Sequence, residues 1–138
     1  AAMTKYNSTD GLTSLQAVDD AASVNMGGAW HMPTSTQISE LLNTAYVTNQ
    51  SVTNYQGSGV SGTLYTSVVD NSQTLFFPIS RYCADGEFNY RNESALIWSQ
   101  SLKNNDVIWG RTLTNENLER FLGQNHRYAG LVVRGVIG

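Results

Sequence analysis

Cysteine is almost missing from this chain of 138 residues: Cys83 stands alone. One thiol forms no internal disulfide and builds no thiolate metal cluster. A secreted vertebrate domain of this size would ordinarily carry at least two bridges. The count therefore points to a bacterial or phage product folded in a reducing compartment. Charge is scarce too. Eight Lys and Arg against eleven Asp and Glu leave a net charge of -3. The basic residues are scattered, with a modest excess in the last third (Arg111, Arg120, Arg127, Arg134). Nucleic-acid binding needs clustered Lys and Arg, so none is expected. No apolar run approaches the ~18 residues of a membrane span, and none of the opening residues has the charged-then-apolar form of a secretion signal. The two histidines, His31 and His126, lack metal-ligand spacing. No nucleophile elbow is present. Neither a metal nor an organic cofactor is expected, and the chain reads as non-enzymatic.

What the chain has is polar, weakly charged and turn-rich. Its length fits one domain of ~100–200 residues, long enough to bury ~two-thirds of its unfolded surface without staples. No linker, low-complexity tract or internal repeat divides residues 1–138. The first third reads as helical. Leu15, Val18, Ala21 and Ala22 recur at helical spacing, with Asp19 and Asp20 on the wet side and Gly27-Gly28 as the stop. A second helix follows Pro33, with Thr34 as N-cap and Gln37 completing a capping box. Ile38, Leu41, Leu42 and Ala45 form its apolar stripe. After Tyr46, Gly, Ser, Asn and Thr dominate. Strands are expected at residues 64–69 and 74–77 around an Asp70-Asn71-Ser72 turn. Others are expected at residues 95–98, 107–109, 111–113 and 131–134. Helices first and antiparallel strands after is the α+β order.

Several eye-catching residues read as structural. Trp30 would fill a helix–sheet core and Pro33 set the helix entry. His31 has no obvious catalytic partner. Gly57-Ser58-Gly59-Val60-Ser61-Gly62 spells the dinucleotide-binding pattern. It follows a polar loop rather than a strand and opens no helix, so it reads as a turn. Cys83 sits in an apolar-aromatic stretch and reads as packed.

Gly28-Ala29-Trp30-His31-Met32-Pro33-Thr34 followed by Glu40-Leu41-Leu42 is a distinctive string. Trp98-Ser99 and Arg127-Tyr128-Ala129-Gly130-Leu131-Val132-Val133-Arg134 add to it in order. Together they resemble the Fibrobacter succinogenes major paralogous domain, a family of gut bacteria and of phages infecting Bacteroidales. The resemblance spans about Asp19 to the C-terminus. It departs from the family at Gly135, where Pro is frequent, and at Gln100, where a small residue is. It implies a C-type-lectin-like fold, with two N-terminal helices packed on a small twisted antiparallel sheet with long polar loops. It also implies kinship with variable proteins diversified by retroelements, whose variable segment lies at the C-terminal end. Arg127 and Arg134 match fixed family positions, so they are assigned structural hydrogen bonds. The Glu-Pro-Asn or Gln-Pro-Asp loop and Trp-Asn-Asp strand of calcium-dependent sugar binders are absent: Asn104-Asn105-Asp106 lacks the Trp. The related formylglycine-generating enzymes need more than one reactive cysteine.

The functional signal lies between Ile108 and Ala129. Trp109, Arg111, Asn115, Asn117, Arg120, Phe121, Gln124, Asn125, His126 and Tyr128 mix aromatics and Arg with adaptable amides, as a paratope does. Of the neighbours Phe121 and Leu122, Leu122 is expected inside and Phe121 outside. With Ile108 and Ala129, and leaving out Asn115, these residues form the expected variable face. Its expected partner is a bacterial surface protein or glycan, met from a virion tail or a cell surface by the C-terminal head of a longer protein. The rival expectation is a structural tip that trimerises through the same face and has no ligand of its own.

Overall fold

Among the described residues, two short α-helices and ten strands are laid down in the order helix, strand, helix and then strands, with one 3-10 turn among them. The computed structural model describes residues 4–84, 86–90, 94–104, 106–116 and 119–138, with only the backbone at 84, 88–90, 94 and 116. The strand pairs are antiparallel and the class is α+β.

The first helix is shorter than its apolar spacing predicts. Helix α1 covers only Ala21–Met26. Residues 17–19 form a turn instead, with Asp19 and Asp20 N–H both donating to the Gln16 carbonyl. The cause is Asp20, which is not on the wet side but 1% exposed. Its carboxylate accepts from Ala22 N at 2.9 Å and Ser23 N at 3.0 Å, which fixes it as the N-cap. It also accepts from Met32 N at 2.9 Å, tying the helix to the chain that follows. Gly27 stops α1 as expected, at φ 71. The two-residue strand β1, Trp30–His31, is what α1 packs on.

Helix α2, Ser35–Leu42, carries the expected capping box: Thr34 Oγ1 accepts from Gln37 N, and Gln37 Oε1 from Thr34 N. It ends before Ala45, which is exposed. Strands β2 (Val47–Val52), β3 (Gly62–Ser67) and β4 (Thr74–Pro78) form one sheet in that order. The run expected to Val69 stops at Ser67, because β2 begins at its partner Val47. Val68 and Val69 are exposed instead. The glycine-rich stretch is a single 3-10 turn, Tyr55–Gly57, and a loop.

Strands β5 (Arg81–Ala84) and β6 (Glu87–Tyr90) pair with each other. The last sheet is β7 (Ser94–Leu102), β8 (Trp109–Glu116) and β9 (Glu119–His126). β7 bulges between Trp98 and Leu102. There Gln100 N donates to Pro33 O, and Leu15 N donates to Gln100 O, so the bulge joins three segments. Residues 131–134 make no strand, only a parallel bridge from Val132 to Ile97. A final pair of residues, β10 (Val136–Ile137), returns to pair with β1.

Of the helices, α2 is the one that packs broadly on the β7–β9 sheet, while α1 packs on β1. The core lies between α2 and the two three-stranded sheets. Ile38, Tyr65, Phe77, Ile97 and Leu113 are buried there, and Leu41, Leu75 and Leu122 pack around them. Trp30 is only half-buried, and Met32 is the buried member of its string.

Candidate functional site

Residues 108–129 are not a set of polar loops. Most of them form the β8–β9 hairpin, in unbroken register from Trp109↔His126 to Glu116↔Glu119. Alternation along each strand assigns the side chains to two faces. Leu113 and Leu122 are opposite each other and meet the core beneath α2. Two residues further along the same face stand Arg111 and Gln124, and beyond them Trp109 and His126. The face that is core at one end of the hairpin opens toward solvent at the other, where Trp109, Arg111 and His126 are half-buried and Gln124 is exposed.

At that displayed end three rings stack. Trp109 and His126 have centroids 4.0 Å apart at 27°, and His126 and Tyr128 are 5.0 Å apart at 15°. Strand register holds the first pair. A turn holds the third ring: Arg127 N donates to Ile108 O, and Ala129 N to His126 O, both at 2.9 Å. Tyr128 is 65% exposed and Ile108 51%. Asp106 Oδ1 accepts from Ile108 N at 2.8 Å, which shapes the approach to β8.

The opposite face carries Phe121 and Asn125, both expected in the site. Phe121 is 46% exposed, while Leu122 points inward as expected. Phe121, Asn125 and Tyr82 line a polar hollow of about 150 Å³. Beneath them Thr112 and Thr114 are buried with their hydroxyls 3.3 Å apart. Gly123 lies against both hydroxyls, where a Cβ would stand 3.1 Å from Thr112 Oγ1 and closer still to Thr114 Oγ1.

Other expected members do not join the display. Arg120 turns inward. It donates to the Val47 carbonyl, lies 5.5 Å over the Tyr65 ring, and keeps its other terminal nitrogen buried. Ala129 is buried. Asn117 lies outside the described residues. Arg127 and Arg134 reach backbone oxygens, as expected: Arg127 Nη1 donates to Tyr6 O at 2.9 Å and Arg134 Nη1 to Phe76 O at 3.5 Å.

Sequence reasoning counted Asn115 among the paratope-like amides, whereas it is the buried polar support of the hairpin. Asn115, 1% exposed, accepts from the Tyr65 hydroxyl at 3.2 Å and donates to Thr63 Oγ1 at 2.6 Å. Burial pushes the Tyr65 phenol up to about 12, against the opposing pull of Arg120. No local signal marks these residues, since each partner comes from a distant strand. His31 is hydrogen-bonded at both ring nitrogens, to Met32 O at 2.7 Å and Gly138 O at 2.8 Å. Among the described residues, no group of three or more His, Cys, Asp or Glu converges. No helix among them is long and apolar enough to cross a membrane.

Comparison of the chain with protein-family models, with curated proteins and with solved structures returns no match.

Proposed function

We propose that this chain is a non-catalytic recognition domain of C-type-lectin-like fold. It binds a bacterial surface protein or glycan through the displayed end of the β8–β9 hairpin. It works from a virion tail or a cell surface. The carrying observation is the Trp109–His126–Tyr128 stack, framed by exposed Ile108 and followed along the strand pair by Arg111 and Gln124. Aromatic rings offer large contact area at little entropic cost, and rings already stacked lose less freedom on binding. Ring faces suit sugar faces, and Arg111 and Gln124 supply directional hydrogen bonds. Helices that precede a largely antiparallel set of strands support the fold reading.

Deep sequencing of the 3′ end of the gene across its source population tests the proposal without a known ligand. Substitutions at adenine-derived codons should concentrate at Ile108, Trp109, Arg111, Gln124, His126 and Tyr128, with Phe121 and Asn125 as a second cluster. Asn115, Arg120 and Ala129 should stay fixed, because their side chains face the interior. Substitutions spread evenly over buried and displayed positions would remove the basis of the reading. The same face could instead close a trimer. Light scattering over a concentration series decides this, since a stable trimer that Tyr128→Asp dissolves would establish the structural-tip alternative.

A further inference from the structure

A hollow larger than those beside the hairpin lies under the last residues of the chain. It encloses about 390 Å³, within the ~300–1,000 Å³ range of small-molecule sites. Its floor is the core itself: Ile38, Phe77, Ile97 and Leu113. Leu41 and Leu75 form its walls, and residues 134–137 cross it as a strap. The strap is held by a few contacts at its ends. Its β10 end pairs with Trp30 and His31, Gly138 O accepts from Gln37 Nε2 and contacts His31 Nε2, and at Gly135 it lies against Met26 and Trp30.

Two polar side chains reach this apolar chamber. Gln37 is already engaged, with Oε1 accepting from Thr34 N and Nε2 donating to Gly138 O. Arg134 is not. Its guanidinium lies 5.3 Å over the Phe77 ring and has one long hydrogen bond, 3.5 Å, to Phe76 O. It is exposed, and it joins no ion pair among the described residues. A guanidinium carries five N–H donors in a fork that fits a carboxylate. Apolar walls do not hold ordered water well, since a buried water needs several polar partners. An apolar chamber with one unpaired cation at its lip has the chemistry of an amphiphile's complement.

We propose that this chamber binds a carboxylate with an extended apolar body. The body packs against Ile38, Phe77 and Leu113, and the head pairs with Arg134 at the lip. The strap, carrying Val136, lifts to admit the ligand and closes over it. This site is separate from the ring stack and independent of what that face recognises.

Decanoate is the probe, below its micellar concentration, with decanol and decyltrimethylammonium as neutral and cationic controls of the same body. Amide chemical shifts of the full chain are followed by NMR. Decanoate should saturably shift Ile38, Leu41, Phe77 and Val136. It should bind at least about tenfold tighter than decanol, a difference of about 1.4 kcal/mol, and the ammonium should bind weakest. Arg134→Gln should bring decanoate down to the affinity of decanol. Leu41→Trp, which fills the chamber but keeps Arg134, should abolish both, with an otherwise native spectrum confirming the fold. Equal affinity for decanoate and decanol in the native chain would overturn the assignment of the head. Shifts centred on Trp109 and Tyr128, or no saturable shift, would overturn the site.

Discussion

Replacing Asp20 tests how the N-terminal third is held together. The carboxylate accepts from three backbone N–H groups, two in the first turn of α1 and one at Met32. Asp20→Ala removes the cap, a loss of about 1 kcal/mol. It also leaves the Met32 N–H without a partner in a buried place, at about 1–3 kcal/mol. The sum is about 3 kcal/mol, which for a chain of this size lowers Tm by roughly 10 °C. Asp20→Asn separates the two contributions. Asparagine caps helices as well as aspartate does, so a role limited to capping predicts no change. Met32 N, however, lies close to both oxygens, 3.1 Å from Oδ1 and 2.9 Å from Oδ2. An amide there sets a donor against a donor, and Asp20→Asn should cost about 1–2 kcal/mol. Urea unfolding gives both values, with an unchanged m-value showing that the compared states are the same. A neutral Asp20→Asn would refute the Met32 tie, and an Asp20→Ala loss below about 1 kcal/mol would refute the whole account.

Other perturbations reach the core, the hairpin and the strap. Contacts with the Met32 and Gly138 oxygens raise the His31 pKa above its ordinary 6.5. A raised value in the folded state gives stability that is complete below 6.5 and lost as pH rises through the folded value. Protection of the Val136 and Ile137 amides against hydrogen exchange, measured relative to the intrinsic rate at each pH, should therefore fall across that window, and His31→Phe should remove that fall. Gly123→Ala drives a methyl group into the Thr112 and Thr114 hydroxyls and should cost about 2 kcal/mol by chemical denaturation, within the usual range for overpacking. In an ultraviolet pH titration, the Tyr65 phenolate signal should emerge only near pH 12, as its burial requires. Tyr65→Phe should remove that late component and destabilise the chain by about 1 kcal/mol.

Elements governed by short-range chemistry were legible in the sequence, and those governed by distant partners were not. The α2 capping box lies within four residues, and Thr34 and Gln37 take their expected places. That Phe121 and Leu122 point opposite ways follows from strand alternation, and Leu122 is the inner one, as expected. By contrast, Leu15 and Val18 have helical spacing but form no helix. The start of α1 is fixed by a carboxylate shared with Met32, twelve residues away. Val68 and Val69 continue an apolar run past the point where β2 offers a partner. Residues 131–134 have strand composition, yet they meet β7 through one bridge, at Val132. In the hairpin, composition was an incomplete guide. The strand expected at residues 111–113 is there, within β8, but the polar side chains of Thr112, Thr114 and Asn115 do not announce their burial, which holds because each finds a hydrogen-bond partner inside.

The hairpin divides its work along its length rather than only between its faces. At the Leu113–Leu122 level, α2 covers the strands and the side chains serve the core. At the Trp109–His126 level the same face is half-buried, with Tyr128 exposed at its edge. The backbone ladder is continuous between the two, so the displayed residues inherit rigidity from bonds their own side chains do not make. Surface substitutions away from such supports usually change stability by less than about 0.5 kcal/mol. Tyr128 and Ile108 meet that condition most fully. Arg120 does not, since it bonds Val47 across to the other sheet and covers Tyr65. A face of this kind can change what it binds without renegotiating the fold, provided the changes stay on the displayed side of Leu113 and Leu122. The strap over the apolar chamber is the opposite arrangement. Its β10 end pairs through only two residues, and whatever enters beneath it must first displace that end. The recognition proposed for the ring stack would therefore need little backbone movement, whereas the binding proposed for the chamber would be coupled to movement of residues 134–137.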